Sequence, residues 1–166
     1  LKEGNQRFLN GTQRKRELNQ QVIQTAQGQY PFASIVGCID SRVPLSLIFD
    51  QGIGSLFGAK VAGNIINDDI LGSLEFACKL AGSKVVVVLG HTSCGAVKGA
   101  CDQAELGNLT ALLSKINPAV LNIKEPQNPE LRNSKNSEFV DAVALENVKL
   151  TVQNIRTYSN VLRSME

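Results

Sequence analysis

Val85-Val86-Val87-Val88-Leu89 is apolar at every position, and that continuity constrains the fold more than any other feature of the chain. A strand with one wet face alternates apolar and polar side chains. A run without alternation belongs to a strand covered on both faces, as in a parallel sheet lying between layers of helix. Phe32 to Cys38, centred on Ile35 and Val36, and Leu56 to Val61 read as further strands. Helical stretches alternate with them. Pro44 to Phe49 opens on a proline, and Asn67 caps a helix that carries Asp68 and Asp69 in its first turn and runs to about Leu80. Ala81-Gly82 stops that helix. A helix starting at Gly95 and another over Asn108 to Ile116 follow.

Asn117 to Asn136, rich in proline and asparagine, reads as an excursion over the surface. One long helix then spans Ser137 to about Ser164, striped by Val140, Val143, Val148, Val152, Ile155, Tyr158 and Leu162. Leu1 to Asn10 and Asn19 to Gln27 read as two helices with polar faces, forming an N-terminal helical arm over residues 1–30. The whole predicts an α/β fold: a central, mostly parallel β-sheet flanked by helices, with that arm in front and the long C-terminal helix behind, in one domain over 1–166.

Two of the expected strands end in groups that carry chemistry. Cys38-Ile39-Asp40-Ser41-Arg42 closes one, and His91-Thr92-Ser93-Cys94-Gly95 follows another. In open α/β sheets, sites form beyond the carboxyl ends of the strands. Two thiolates and one imidazole are ligands that Zn²⁺ takes, and three protein ligands with a fourth position over match a catalytic rather than a structural zinc site. The fourth candidate is the Asp40 carboxylate, and Arg42 two residues on can draw it away from the metal. Simpler readings stand beside these: the lone histidine as a satisfied structural residue, and Asp40–Arg42 as a plain salt bridge. Cys78 and Cys101 lie on expected helices and read as small core residues. Cys94 also opens a helix, whose first N–H groups favour a thiolate or a bound anion.

A net charge of +2 gives no reason to expect nucleic acid or an anionic membrane as partner. Arg14, Lys15 and Arg16 read as a solvated helix end. No apolar run is long enough to span a bilayer. Reduced thiols point to a cytoplasmic location, with a periplasmic or secreted one left open because the chain starts at Leu1 rather than Met.

The chain resembles the β-class carbonic anhydrases. The resemblance rests on Cys38-Ile39-Asp40-Ser41-Arg42-Val43-Pro44, on Ala62-Gly63-Asn64, on Gly90-His91-Thr92-Ser93-Cys94-Gly95-Ala96, and on Gly4-Asn5-Gln6-Arg7-Phe8 in the first helix. It implies one Zn²⁺ held by Cys38, His91 and Cys94, with Asp40 as the fourth ligand when the site is closed. It implies reversible hydration of CO₂ to bicarbonate and a proton by zinc-bound hydroxide, with Asp40 and Arg42 as the catalytic pair. Gln29, Phe57, Ala62, Phe76 and Gly95 match positions around the substrate, and the family's site is completed in a homodimer or higher homo-oligomer. Gln29, together with Ile35 where some members carry tryptophan, places the chain nearer the plant-type subgroup, whose site is open at neutral pH.

Lys60, Ser55 and Phe76 depart from the usual arginine, aspartate and tyrosine, and none of these removes a ligand. The resemblance further implies a strand beyond the long helix, which these residues do not include. Hydrolysis of CS₂ or COS on the same scaffold, a permanently closed zinc-binding homologue and a thiol-redox protein using Cys38 and Cys94 are the competing readings. The intact Arg42 and the absence of a C-x-x-C motif weigh against the last two.

Overall fold

The computed structural model describes all residues, 1–166. Three parallel strands, β1 (Ala33–Gly37), β2 (Leu56–Lys60) and β3 (Val85–Leu89), lie in the order β2-β1-β3. Gly37 stands level with Lys60 on one side and Leu89 on the other, so the three carboxyl ends finish in one row. Helices α1 (Lys2–Leu9) and α2 (Leu18–Gln24) precede β1, the single turn α3 (Leu45–Ile48) follows it, and α4 (Asp68–Glu75) links β2 to β3. After β3 come α5 (Gly95–Cys101), α6 (Gly107–Ser114), α7 (Asn117–Asn122), the long α8 (Ser137–Tyr158) and the short α9 (Asn160–Arg163). No helix is long and apolar enough to cross a membrane.

β1 is buried at every residue because it alone has a strand on each side. Its Val36 packs with Leu71, Leu74, Cys78, Ile155 and Leu162, and Ile35 faces the opposite way onto Val43 and Leu45. Each of these fully buried aliphatic side chains contributes about 1.5–3 kcal/mol. The largest apolar cluster lies elsewhere. It joins Cys38 and Cys94 to Val97, Leu113, Ile116, Phe139, Val140 and Val143, so both thiols sit in helical core.

The valine run is a strand, but an edge strand. Val86 and Val88 touch one apolar cluster and Val87 and Leu89 another, so both faces are in contact, yet Val85 stays 43% exposed. An apolar run reports on faces, whereas burial also depends on having a neighbour along each edge.

Other expectations are corrected. The helix after Asn67 does reach Leu80, and Asn67 Oδ1 accepts from the Ile70 N–H at 2.9 Å, but its last turn, Phe76–Leu80, is widened into a π-helical turn. The surface excursion contains α7, with Ala119 buried, and is pinned by Arg132. That guanidinium lies 4.6 Å from the Phe139 ring centroid and donates to the Val120 carbonyl at 2.9 Å. The final helix is not continuous: Ser159 is extended and buried, donates to Glu75 Oε1 at 2.5 Å, and accepts from the Leu162 N–H to start α9. Within the expected stripe Val140, Val143, Ile155 and Leu162 are buried, while Val152 and Tyr158 are exposed.

Arg14, Lys15 and Arg16 form no helix end. They lie in the irregular segment between α1 and α2, where Arg16 grips Asp50 by its side chain and bonds the Asp50 carbonyl at 2.5 Å. Arg7 of α1 meets the same carboxylate at 2.5 Å, and the Arg14 N–H donates to both of its oxygens at 3.3 Å. Asp50 is buried with a φ of 46°, so the N-terminal arm is fastened through one buried anion. The Arg16 and Arg7 bonds hold its carboxyl well below the usual carboxylate range. A depressed folded pKa gives stability that is present above the unfolded pKa and lost as pH falls toward the folded one. Asp50→Asn therefore lowers the melting temperature at neutral pH, and the gap from wild type narrows as pH drops from about 5 to about 2. A gap that stays constant in melting curves across that range would show that the clamp does not depend on the charge.

Candidate metal centre and its surroundings

The level strand ends bring the two sequence groups together. Cys38 is the first residue after β1, and His91 follows β3 by one glycine. Cys94 caps α5 with extended backbone, after a turn in which Ser93 takes a φ of 54°. The ligand atoms of Cys38, His91 and Cys94 all lie within 4.8 Å of one another, and the two sulfurs are 3.8 Å apart. Cys38 is 4% exposed and Cys94 1%.

These three side chains fit a metal. His91 Nδ1 lies 2.9 Å from the Thr92 carbonyl. A carbonyl only accepts, so Nδ1 carries the hydrogen and Nε2 presents its lone pair. Nε2 is buried and has no protein partner. At the sulfurs, burial pushes the Cys94 thiol up, against the pull of the Val97 and Ala96 N–H groups, and neighbouring Cys38 pushes it further. Two thiolates so placed need a cation, and two sulfurs with one imidazole form a set that zinc prefers.

The turn at Ala62–Asn64 supports Cys38 from below. The Gly63 N–H points at Cys38 Sγ at 3.4 Å, with Gly63 at a φ of 70°, the left-handed region that favours glycine. A Cβ on Gly63 would come within 2.5 Å of Ile116 Cδ1, so the buried Ile116 side chain would have to shift to admit one.

Asp40 is turned onto Arg42. Nε donates to Oδ1 at 2.9 Å and Nη2 to Oδ2 at 2.8 Å, and the Arg42 backbone N–H also bonds Oδ1 at 2.9 Å. The side-chain bonds first, and that backbone bond second, hold the carboxyl well below its ordinary range. Arg42 reaches on to the Ser93 carbonyl at 3.4 Å, tying the two ligand segments together. Lys60 donates to the carbonyls of Asp40 and Val43 at 3.2 and 3.0 Å. Asp40 Oδ2 stands 3.9 Å from His91 Nε2.

Of the expected substrate residues, Ala62 opens the supporting turn and Gly95 is the first residue of α5, next to Cys94. Phe57 and Phe76 meet each other edge to face, with ring centroids 6.3 Å apart, and line a cleft of about 560 Å³ along α4. Gln29 lies in a separate hollow with Thr25 and Gly54. Neither space includes a ligand residue, so one chain does not gather these three around the thiols.

Sequence reasoning passed over Asn147. It is 3% exposed and donates to the Gly63 carbonyl at 2.7 Å. The signal was there: Asn147 continues the buried stripe of Val140, Val143 and Ala144 at helical spacing, and an amide in such a stripe needs a partner.

The comparisons agree with this geometry. The family model for carbonic anhydrase matches residues 33–166. Carbonic anhydrase 2 of Mycobacterium tuberculosis is 42% identical over 129 residues, covering 73% of this chain and 61% of the relative. The carbonic anhydrase of Mycolicibacterium smegmatis is 38% identical over 134 residues, covering 73% and 62%. The chain thus spans about three-fifths of the length of these curated relatives. The crystal structure of the β-carbonic anhydrase CafA of Aspergillus fumigatus superposes with a TM-score of 0.75 at 30% identity, over 89% of this chain and 70% of that one. By sequence, fold and ligand set, the chain belongs to the β-class carbonic anhydrase family.

Proposed function

We propose that this protein catalyses the zinc-dependent, reversible hydration of CO₂ to bicarbonate and a proton. One observation carries the reading: Cys38, His91 and Cys94 converge, while Asp40, the available fourth ligand, is held by Arg42. Zinc, when bound, supplies water activated near neutral pH, since it can lower the pKa of such a water to ≈ 7.

The remaining work falls to the chain. Cys38 and Cys94 deliver two negative charges to the metal and so set its net charge. Asp40, kept ionised by Arg42, accepts a hydrogen bond and holds the attacking oxygen with a lone pair toward the carbon. The Gly95 N–H, at the start of α5, donates to a bicarbonate oxygen, where the helix terminus favours an anion. CO₂ is neutral and apolar and needs an apolar wall. Phe57 and Phe76, with Gln29 as a donor, supply it from a second copy of the chain, so the active form is a homodimer or larger homo-oligomer. In support, Phe76 is 51% exposed and Tyr30, Ile23 and Leu80 also stand open to solvent.

Stopped-flow CO₂ hydration by the zinc-loaded protein tests the proposal. Rapid turnover already near neutral pH is the expected result, and turnover confined to alkaline pH would mean that Asp40 takes the fourth position. Inactivity at both would overturn the reading. Arg42→Ala frees the carboxylate and lowers turnover on the order of a hundredfold. An unchanged rate in that variant would remove Asp40–Arg42 from the chemistry. Dialysis against a chelator abolishes activity, and zinc at about a hundred times its Kd raises the melting temperature of the stripped protein by roughly 5–10 °C. Identical melting curves with and without the metal would sink the zinc assignment.

A further inference from the structure

We propose that Asn147 of α8 is a positioning residue for the Cys38 thiolate, acting through the Gly63 turn. The side chain is buried, and its Nδ2 donates to the Gly63 carbonyl at 2.7 Å across 84 residues of sequence. The Gly63 N–H in turn points at Cys38 Sγ at 3.4 Å. Glycine at this position is free to rotate, and only its neighbours decide whether the N–H faces sulfur.

Those neighbours form a closed set. The Val61 N–H bonds the Gly37 carbonyl at 3.0 Å, attaching the turn to the end of β1. The Asn64 N–H bonds the Val61 carbonyl at 3.0 Å, and Asn147 holds the carbonyl of that same Gly63–Asn64 peptide. Without Asn147, one end of the peptide is unheld, and a buried carbonyl loses its donor.

The next residue of α8 reinforces the assignment. A Cβ on Gly90 would come within 2.6 Å of Val148 Cγ2, so Val148 lies against the residue that precedes His91. One turn of α8 therefore touches both the turn that supports Cys38 and the segment that carries His91. Groups that orient metal ligands from outside the coordination sphere change metal affinity by about 10–100-fold when removed.

This inference rests on the zinc reading of Cys38, His91 and Cys94, and its test separates the two. Zinc release to a chromophoric chelator and the sulfur-to-cobalt charge-transfer band of the Co²⁺-substituted protein are measured for wild type, Asn147→Leu, Asn147→Asp and Thr151→Val. Thr151 is buried one turn further along α8 and makes no bond to the turn, so its variant reports general damage to the packing of the helix. Both Asn147 variants should release zinc on the order of 10–100 times faster and shift the charge-transfer band, with Thr151→Val matching wild type. Should Asn147→Leu fail to fold, the shape-conserving Asn147→Asp decides by the same two readouts. Asn147 variants with wild-type release and band position would overturn the positioning role alone. Equal loss in Thr151→Val would reduce it to packing. Wild-type protein that binds neither metal through sulfur would overturn the zinc reading itself.

Discussion

Two sulfur atoms 3.8 Å apart in an apolar cluster cannot both carry charge unless a cation lies between them. Much of the surrounding structure follows from that constraint. Parallel strands of matched register end level, which puts the residue after β1 within reach of the loop after β3. The start of α5 lies beside one sulfur, and the Gly63 turn directs an N–H at the other at 3.4 Å. The imidazole completes the set through the nitrogen that Thr92 leaves free. Burial that penalises a bare thiolate pair is offset when a cation binds it.

The carboxylate is governed differently. Asp40 shares its segment with Cys38, and its Oδ2 lies 3.9 Å from His91 Nε2. Arg42 holds the carboxylate by a bidentate contact, and the Arg42 side chain is itself 65% exposed. An exposed ion pair contributes little by itself. Extra anchoring comes from its neighbours: the Arg42 backbone N–H on Oδ1, the Ser93 carbonyl on the guanidinium, and Lys60 under the carbonyls of Asp40 and Val43. Lys60 stands where arginine is usual in the family, and its ammonium still spans both carbonyls.

The ligands were legible in the sequence because each group is local: donor types spaced a few residues apart at the ends of apolar runs, where an α/β sheet opens its sites. Helix starts at Asn67 and Asn136 were legible or recoverable for the same reason, since a cap and its N–H lie three residues apart. What escaped depends on partners distant in the chain. Arg16 is a structural residue only because Asp50 lies 34 residues on, and the long helix breaks at Ser159 because Glu75 meets it from 84 residues away. Periodicity could say that the valine run touches core on both faces but not that it sits at an edge. Asn147 escaped for a related reason: an amide within an apolar stripe announces that a partner exists and is silent on which.

The two halves of the site differ in packing, and that difference suits the chemistry proposed for it. Cys38 and Cys94 are packed in a helical core through Val97, Ile116, Phe139 and Val143, and a shift of either would disturb close-packed side chains. Asp40 and Arg42 belong to an exposed loop whose bonds are mostly to backbone carbonyls and to each other. A metal centre of this kind needs thiolates that stay in place and a carboxylate able to orient an oxygen without displacing it. Placing the first pair in core and the second on an arginine-held loop meets both needs, with α8 packing against the core side through Phe139, Val140 and Val143.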